Sequence, residues 1–309
     1  MGGDGRQGAY LLLAASIAVG SVSYTLVQRG LDELSPMVLA TGRVTVSALM
    51  FTAIVLARPG LRTPIPRHER WRVLAVGFGG SAVFHVLFNW GQSKVPVAIA
   101  AVIMATYPVL TSLGEVLFLG HRLHRRQALG VVLSTAGCIA IGVAGGLGGA
   151  EGSALGALAV LGAALAWAAV TLITRDIGER YDSWWLNTPG TVIGAVFMLG
   201  VTAPDLGEYG SLTWQGWIVV IWLGSASSAF IYYALARAMK VLSATTTTAI
   251  STVVTPLSVL VAWGIRGEVP TLVQVVGGAV VVCGVILVVL RPTATSPASS
   301  HRRPRTPRP

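Results

Sequence analysis

PVLTSLGEVLFLGHRLHRRQALGVVLSTAGC, running from Pro108 to Cys138, is answered later in the chain by PLSVLVAWGIRGEVPTLVQVVGGAVVVCG, from Pro256 to Gly284. With one residue of slippage, Gly120 falls on Gly267, Gln127 on Gln274, Gly130 on Gly277 and Gly137 on Gly284, an offset of about 147 residues. The match reaches back to the fronts of the two halves, where GAYLLLAASIAVGSVSYTLVQR from Gly8 stands against GALAVLGAALAWAAVTLITR from Gly156. A solenoid unit is about 20 to 50 residues long. A period three times that size marks a duplicated domain.

The solvent for this duplicated unit follows from composition. Only 11% of the residues are charged, 53% are apolar and the mean hydropathy is +0.71, whereas about 25% of a soluble domain is charged. A hydrocarbon core of about 30 Å needs roughly 20 apolar residues per helix. The chain offers ten such segments between short polar breaks: Tyr10–Gln28, Pro36–Ala57, Trp71–Gly91, Pro96–Leu119, Ala128–Val143, Gly156–Thr174, Trp184–Val201, Trp214–Ala236, Ala244–Ile265 and Thr271–Leu290. The expected fold is an all-α integral membrane protein of ten transmembrane helices.

A net charge of +10 raises nucleic acid as a partner, and the positions of the basic residues argue against it. With the N-terminus inside, 18 of the 22 Lys and Arg lie on cytoplasmic segments, three outside (Arg29, Lys94, Arg266) and one, Arg43, within the bilayer. This is the positive-inside pattern of a plasma-membrane protein with both termini in the cytoplasm. Its strongest contributors are Arg58 to Arg72, the run from His121 to Arg126, and the tail 291–309, which reads as disordered and topogenic. The first span resembles a signal peptide, but Gly156–Thr174 is its retained counterpart, so it reads as structural. Cys138 and Cys283 lie inside spans and read as small apolar side chains, with no metal-ligand spacing.

Five spans per copy is an odd number, so the second copy (156–290) enters the membrane from the side opposite to the first (1–147), and the halves form inverted repeats. Secondary transporters use this construction, with the cargo site near the midplane at the repeat interface. The Gly-rich connector, centred on 148–155, precedes no phosphate-binding lysine and does not read as a nucleotide loop.

From about residue 8 to 290 the chain resembles the EamA-type members of the drug/metabolite transporter superfamily. The resemblance rests on SPMVLATGRV at Ser35, on Pro108 and Pro256 in spans four and nine, and on the Gly-Glu step closing those spans, followed by Gln and a Gly-rich face. It implies ten helices in two halves and export of a small metabolite or drug by alternating access, coupled to protons or a counter-substrate. One departure stands out: the Gly-Glu step is kept at Gly267-Glu268 but reads Gly120-His121 in the first half.

Several residues can carry transport. Pro108 and Pro256 each remove a backbone hydrogen bond, which predicts kinks near mid-membrane. A rise of about 1.5 Å per residue places Tyr107, Trp167, Ser225 and Thr255 near the midplane. These four, with Thr252, Asn89 and Arg43, are the expected cargo contacts. Trp167 and Tyr107 suit a planar or amphipathic ligand. His85, inside span three, can report or carry protons. Ionised groups in a bilayer are functional candidates by default. Arg43 is near His85 in depth, while Glu115 lies toward the inner face, where Arg237 or Lys240 can close a gate with it. Against each of these stands ordinary packing. Gly130, Ser134, Gly137, Gly277 and Gly284 read as scaffold, serving span five against span ten or a homodimer surface.

The expected function is a secondary transporter of the plasma membrane, exporting a small polar or amphipathic compound without a cofactor. An uptake carrier or exchanger shares the fold. A membrane-embedded enzyme is disfavoured, because the sequence has no HExxH, no GxSxG and no paired intramembrane carboxylates. A scaffold would turn its polar stripes toward neighbouring helices.

Overall fold

The computed structural model describes residues 3–92, 94, 103–121, 123–144, 154–267 and 269–289. The start of the fourth expected span, Glu268, the connector up to 153 and the tail 291–309 lie outside the described residues. Within them every regular element is helical. In chain order these are α1 (Gly3–Leu31), α2 (Pro36–Ala57), α3 (Arg70–Phe78), α4 (Phe84–Gln92), α5 (Tyr107–Leu119), α6 (Arg125–Ala144), α7 (Ala154–Ile177), α8 (Ser183–Val201), α9 (Trp214–Gly224), α10 (Ile231–Ala238), α11 (Ala244–Ser251), α12 (Val254–Arg266) and α13 (Leu272–Val289).

Among the described residues, eight helical runs are long and apolar enough to cross a membrane: Gly5–Leu31, Pro36–Ala57, Arg67–Gly91, Ala154–Ile177, Ser183–Val201, Trp214–Ala238, Ala244–Ile265 and Leu272–Val289. Two of the ten expected segments are not among them. The described helix of the fourth is the shorter Tyr107–Leu119, and the fifth forms α6, whose first turn carries Arg125, Arg126 and Gln127.

The joints follow from local chemistry. Gly120 and Gly267 close α5 and α12 in the left-handed region, at φ 66° and 71°, where a side chain would be strained. Gln127 accepts from the backbone N–H of His124 at 3.2 Å, and its match Gln274 accepts from Thr271 N–H at 2.9 Å. Both glutamines therefore cap helix starts. Pro108 and Pro256 lie in the first turns of α5 and α12, just after breaks in the chain's helical path at 105–106 and 252–253. The expected kinks are thus full interruptions, and a proline in a first helical turn forfeits no intrahelical bond.

Two further irregularities also recur at the repeat offset. Gly79–Val83, between α3 and α4, and Ser225–Phe230, between α9 and α10, are π-turns. Packing partners exchange roles in the same way: α8 lies on α3 as α2 lies on α9, and α7 lies on α4 and α5 as α1 lies on α10 and α12. The most extensive helix contact among the described residues joins α6 to α13. There a Cβ on Gly130 would lie 2.5 Å from Gly284 O, and one on Gly137 would lie 2.6 Å from Gly277 O. The small-residue face is used inside the chain, so it is not a free homodimer surface.

Candidate functional site

A polar and aromatic cluster forms where α2, α4, α7 and α10 meet the two π-turns. Arg43, half-buried on α2, donates from Nη2 to Ser228 Oγ at 3.3 Å, and its charge acts on both His85 and Tyr232. His85 is 4% exposed and packs edge-on to Phe84, with ring centroids 5.1 Å apart. Its Nε2 is buried without a hydrogen-bond partner among the described residues. Tyr232 donates its hydroxyl to Gly80 O at 3.0 Å, tying α10 to the first π-turn, where glycine leaves the carbonyl unshielded. Trp167 tilts against Phe84 at 5.2 Å and Tyr232 at 5.5 Å.

Beside the cluster lies a cavity of about 30 Å³, lined by Gly80, Trp167, Thr171, Asn187, Tyr232 and Met239 among others. A water molecule's share of liquid volume is about 30 Å³. A metabolite fits there only if the surrounding helices separate.

The structure gathers Arg43, His85 and Trp167 and leaves the other sequence-predicted residues elsewhere. Tyr107 donates to Thr248 O at 3.3 Å, on the far side of the break at 252–253. Thr252 returns its hydroxyl to Ala249 O at 2.6 Å, while its carbonyl lies 3.9 Å from Cys138 Sγ. Thr255 begins the turn after it, with its N–H on Thr252 O at 3.0 Å. Ser225 bonds Ile221 O of its own helix, and Asn89 reaches Pro36 O at 3.1 Å. None of these five lines the cavity.

Glu115 has partners the sequence did not supply. It is 1% exposed and accepts from the backbone N–H groups of Ala244 and Thr245, both at 2.8 Å. Ser243 Oγ takes the next donor, Thr246 N–H, at 3.0 Å. The three first-turn donors of α11 are thereby satisfied, two of them by one carboxylate at the positive end of the helix. His121 Nδ1 stands 3.3 Å from Glu115 Oε1. Glu115 meets neither Arg237, which is exposed, nor Lys240, whose ammonium donates to Tyr181 O at 2.6 Å. The polar contact that Glu115 makes at this end is therefore that of a carboxylate on a helix start.

The rest of this basic end is knitted by ion pairs. Arg72 meets Asp176 at 2.8 Å, and Arg180 meets buried Glu69 at 3.0 Å. Arg175 reaches both Glu179 and Met239 O. Tyr181 donates to Glu69, and burial together with that carboxylate pushes its phenol up to about 12. Burial, aided by nearby Arg237, holds Lys240 below its ordinary value against the pull of Asp182 and Glu179. No group of three His, Cys, Asp or Glu able to hold a metal occurs among the described residues.

Ser228 and Tyr232 follow Ser225 at steps of three and four along span eight, whereas Phe84, Thr171 and Asn187 carry no signal that separates them from packing. A π-turn adds a residue and rotates everything after it. A 3.6-residue period therefore cannot assign the face of α10.

Comparison with known proteins gives concordant matches. The model of the EamA-like transporter family matches residues 6–143 and again 154–290. A protein of Streptantibioticus cattleyicolor named "Probable terminal-alkyne amino-acid exporter" is 28% identical over 89% of this chain and 91% of its own. The uncharacterised transporter YdfC of Bacillus subtilis is 27% identical over 93% of both chains. A solved crystal structure with 22% identity superposes with a TM-score of 0.78, covering 92% of this chain and 97% of its own, a likeness of fold.

Proposed function

The chain belongs to the EamA-like transporter family, and we propose that it is a secondary carrier exporting a small polar or amphipathic compound across the plasma membrane. In this reading ten spans form two inverted five-span repeats with both termini in the cytoplasm. The cargo binds at the midplane against Trp167, Tyr232, Arg43 and His85, with Tyr107, Thr252, Thr255, Ser225 and Asn89 forming the walls exposed when the halves part. Protons or a counter-substrate drive the cycle.

The observation that carries this reading is the pair of matched π-turns flanking a cluster of one arginine, one histidine and three aromatic rings. π-turns concentrate at functional sites, and ionisable groups inside a bilayer mark pathways. The exporter name of the Streptantibioticus relative supports outward transport and makes amino acids a first cargo to test. Glu115 on the first turn of α11 is the cytoplasmic closure, released when the cavity opens inward.

A proteoliposome screen of labelled amino acids, purines, carboxylates and cationic drugs, with and without an imposed proton gradient, tests the proposal. Saturable flux is expected, reduced about tenfold or more by Trp167→Ala, since stacking and burial of one ring contribute about 2 kcal/mol. Flux of a cargo that Trp167→Ala leaves unchanged places the site elsewhere. No saturable flux for any compound removes the carrier reading.

A further inference from the structure

A second concavity among the described residues lies outside the central cluster, at the basic end of the bundle. It is a groove of about 500 Å³ between the strap that precedes α3 and the first turns of α8. Arg62 and Arg70, both exposed, line it together with Val73, Leu74, Trp185 and Pro189. The strap is fixed at both sides. Arg62 donates from Nε to Val55 O at 3.3 Å, and Trp185 donates from Nε1 to Thr63 O at 2.9 Å.

Two features decide what fits. The first is charge: Arg72, Arg175 and Arg180 all meet carboxylates, whereas neither Arg62 nor Arg70 has a carboxylate partner among the described residues. The one acid of the strap, Glu69, is buried and already held by Arg180 and Tyr181. The second is depth. Arg70 opens α3, inside the span Arg67–Gly91, and Leu74 lies one turn further in, 36% exposed. Along a helix that step is about 6 Å, the distance from a headgroup to the first acyl carbons. Trp71, 60% exposed with the Arg72 guanidinium over its ring at 5.7 Å, marks the same interfacial level.

We propose that this groove binds one anionic phospholipid of the cytoplasmic leaflet, its phosphodiester on Arg62 and Arg70 and its acyl chain along Val73, Leu74 and Pro189. The proposal rests on the membrane orientation given above and is independent of the cargo. Two guanidiniums, that of Arg62 held by Val55 O and that of Arg70 exposed, present paired donors to phosphate oxygens, and a basic pocket between spans at the cytoplasmic face suits an anionic headgroup. The bound lipid would clamp the start of α3 to α8, two helices from opposite halves.

Native mass spectrometry of the delipidated full chain tests this, by titration with phosphatidylglycerol and, separately, phosphatidylcholine. One phosphatidylglycerol is expected to bind about tenfold more tightly than phosphatidylcholine. Arg62→Gln with Arg70→Gln should bring it to the phosphatidylcholine level, while Arg125→Gln with Arg126→Gln leaves it unchanged. Should the first pair fail to insert, Arg70→Gln alone, at an exposed position, reads the same preference. Equal binding of the two lipids, or equal loss in both double variants, overturns the proposal. Displacement of the lipid by millimolar inorganic phosphate also overturns it, by identifying a small-anion site. Labelling of an engineered cysteine in the tail separately reports orientation: a tail found outside the cell removes the leaflet assignment even if the lipid binds.

Discussion

At the scale of single residues, the strongest polar constraint is Glu115. Each charge-assisted hydrogen bond contributes about 1.5–3 kcal/mol, and both go to one helix start. Glu115→Gln keeps one acceptor and loses the charge. With Cys138→Ala and Cys283→Ala removing the native thiols, it should raise the reactivity of Met239→Cys, at the cavity wall, about tenfold toward an impermeant maleimide on the basic side. Unchanged reactivity would mean that Glu115 does not hold the cavity shut. Tyr181 supplies a pH-dependent case. Its pKa is raised from 10 to about 12 in the folded chain, so its stabilisation is complete below pH 10 and is lost as pH rises through about 12. Tyr181→Phe should cost about 1–3 kcal/mol at pH 7, because Glu69 stays buried, and should flatten the alkaline limb of a thermal-melting profile. Arg43, His85 and Trp167 were legible in the sequence because ionisable and aromatic groups at mid-span stand out by depth alone. The partners of Glu115 were not, because they are backbone N–H groups freed where a new helix starts, and no side chain advertises them.

Among the helices, the contact of α6 with α13 admits no added atom. Gly137→Val would drive a Cβ to 2.6 Å from Gly277 O, and such overpacking costs about 1–3 kcal/mol or more. Gly264→Ala, which meets nothing within 4 Å, is the matched control. In detergent the first variant should melt several degrees lower and the second should not. A stable Gly137→Val protein would show that the two helices separate more easily than their backbones indicate. Helix existence was readable from apolar length, and the tight faces from glycine spacing. The π-turns were not, since GGSAV and SASSAF have nothing in composition that distinguishes a wide turn from a regular one. The cavity-lining Asn187 and Thr171 follow from how α8 and α7 meet the first of those turns, so they were hidden for the same reason.

For the whole molecule, the exchange of packing partners between the halves makes its two ends alike in plan and different in chemistry. The repeat places Ala262 where the first half has Glu115, so this carboxylate cap has no sequence counterpart in the second half. The repeat within the sequence was legible because glycines, prolines and glutamines with backbone duties recur in order. The sites where the halves diverge had to be read from contacts. The glycine seam between α6 and α13 also sets a timetable for assembly. Its two sides are about 147 residues apart in the chain, and synthesis runs at about 5–20 residues per second. For roughly 7 to 30 seconds after α6 is made, its bare backbone face waits in the membrane for a partner that the ribosome has not yet delivered.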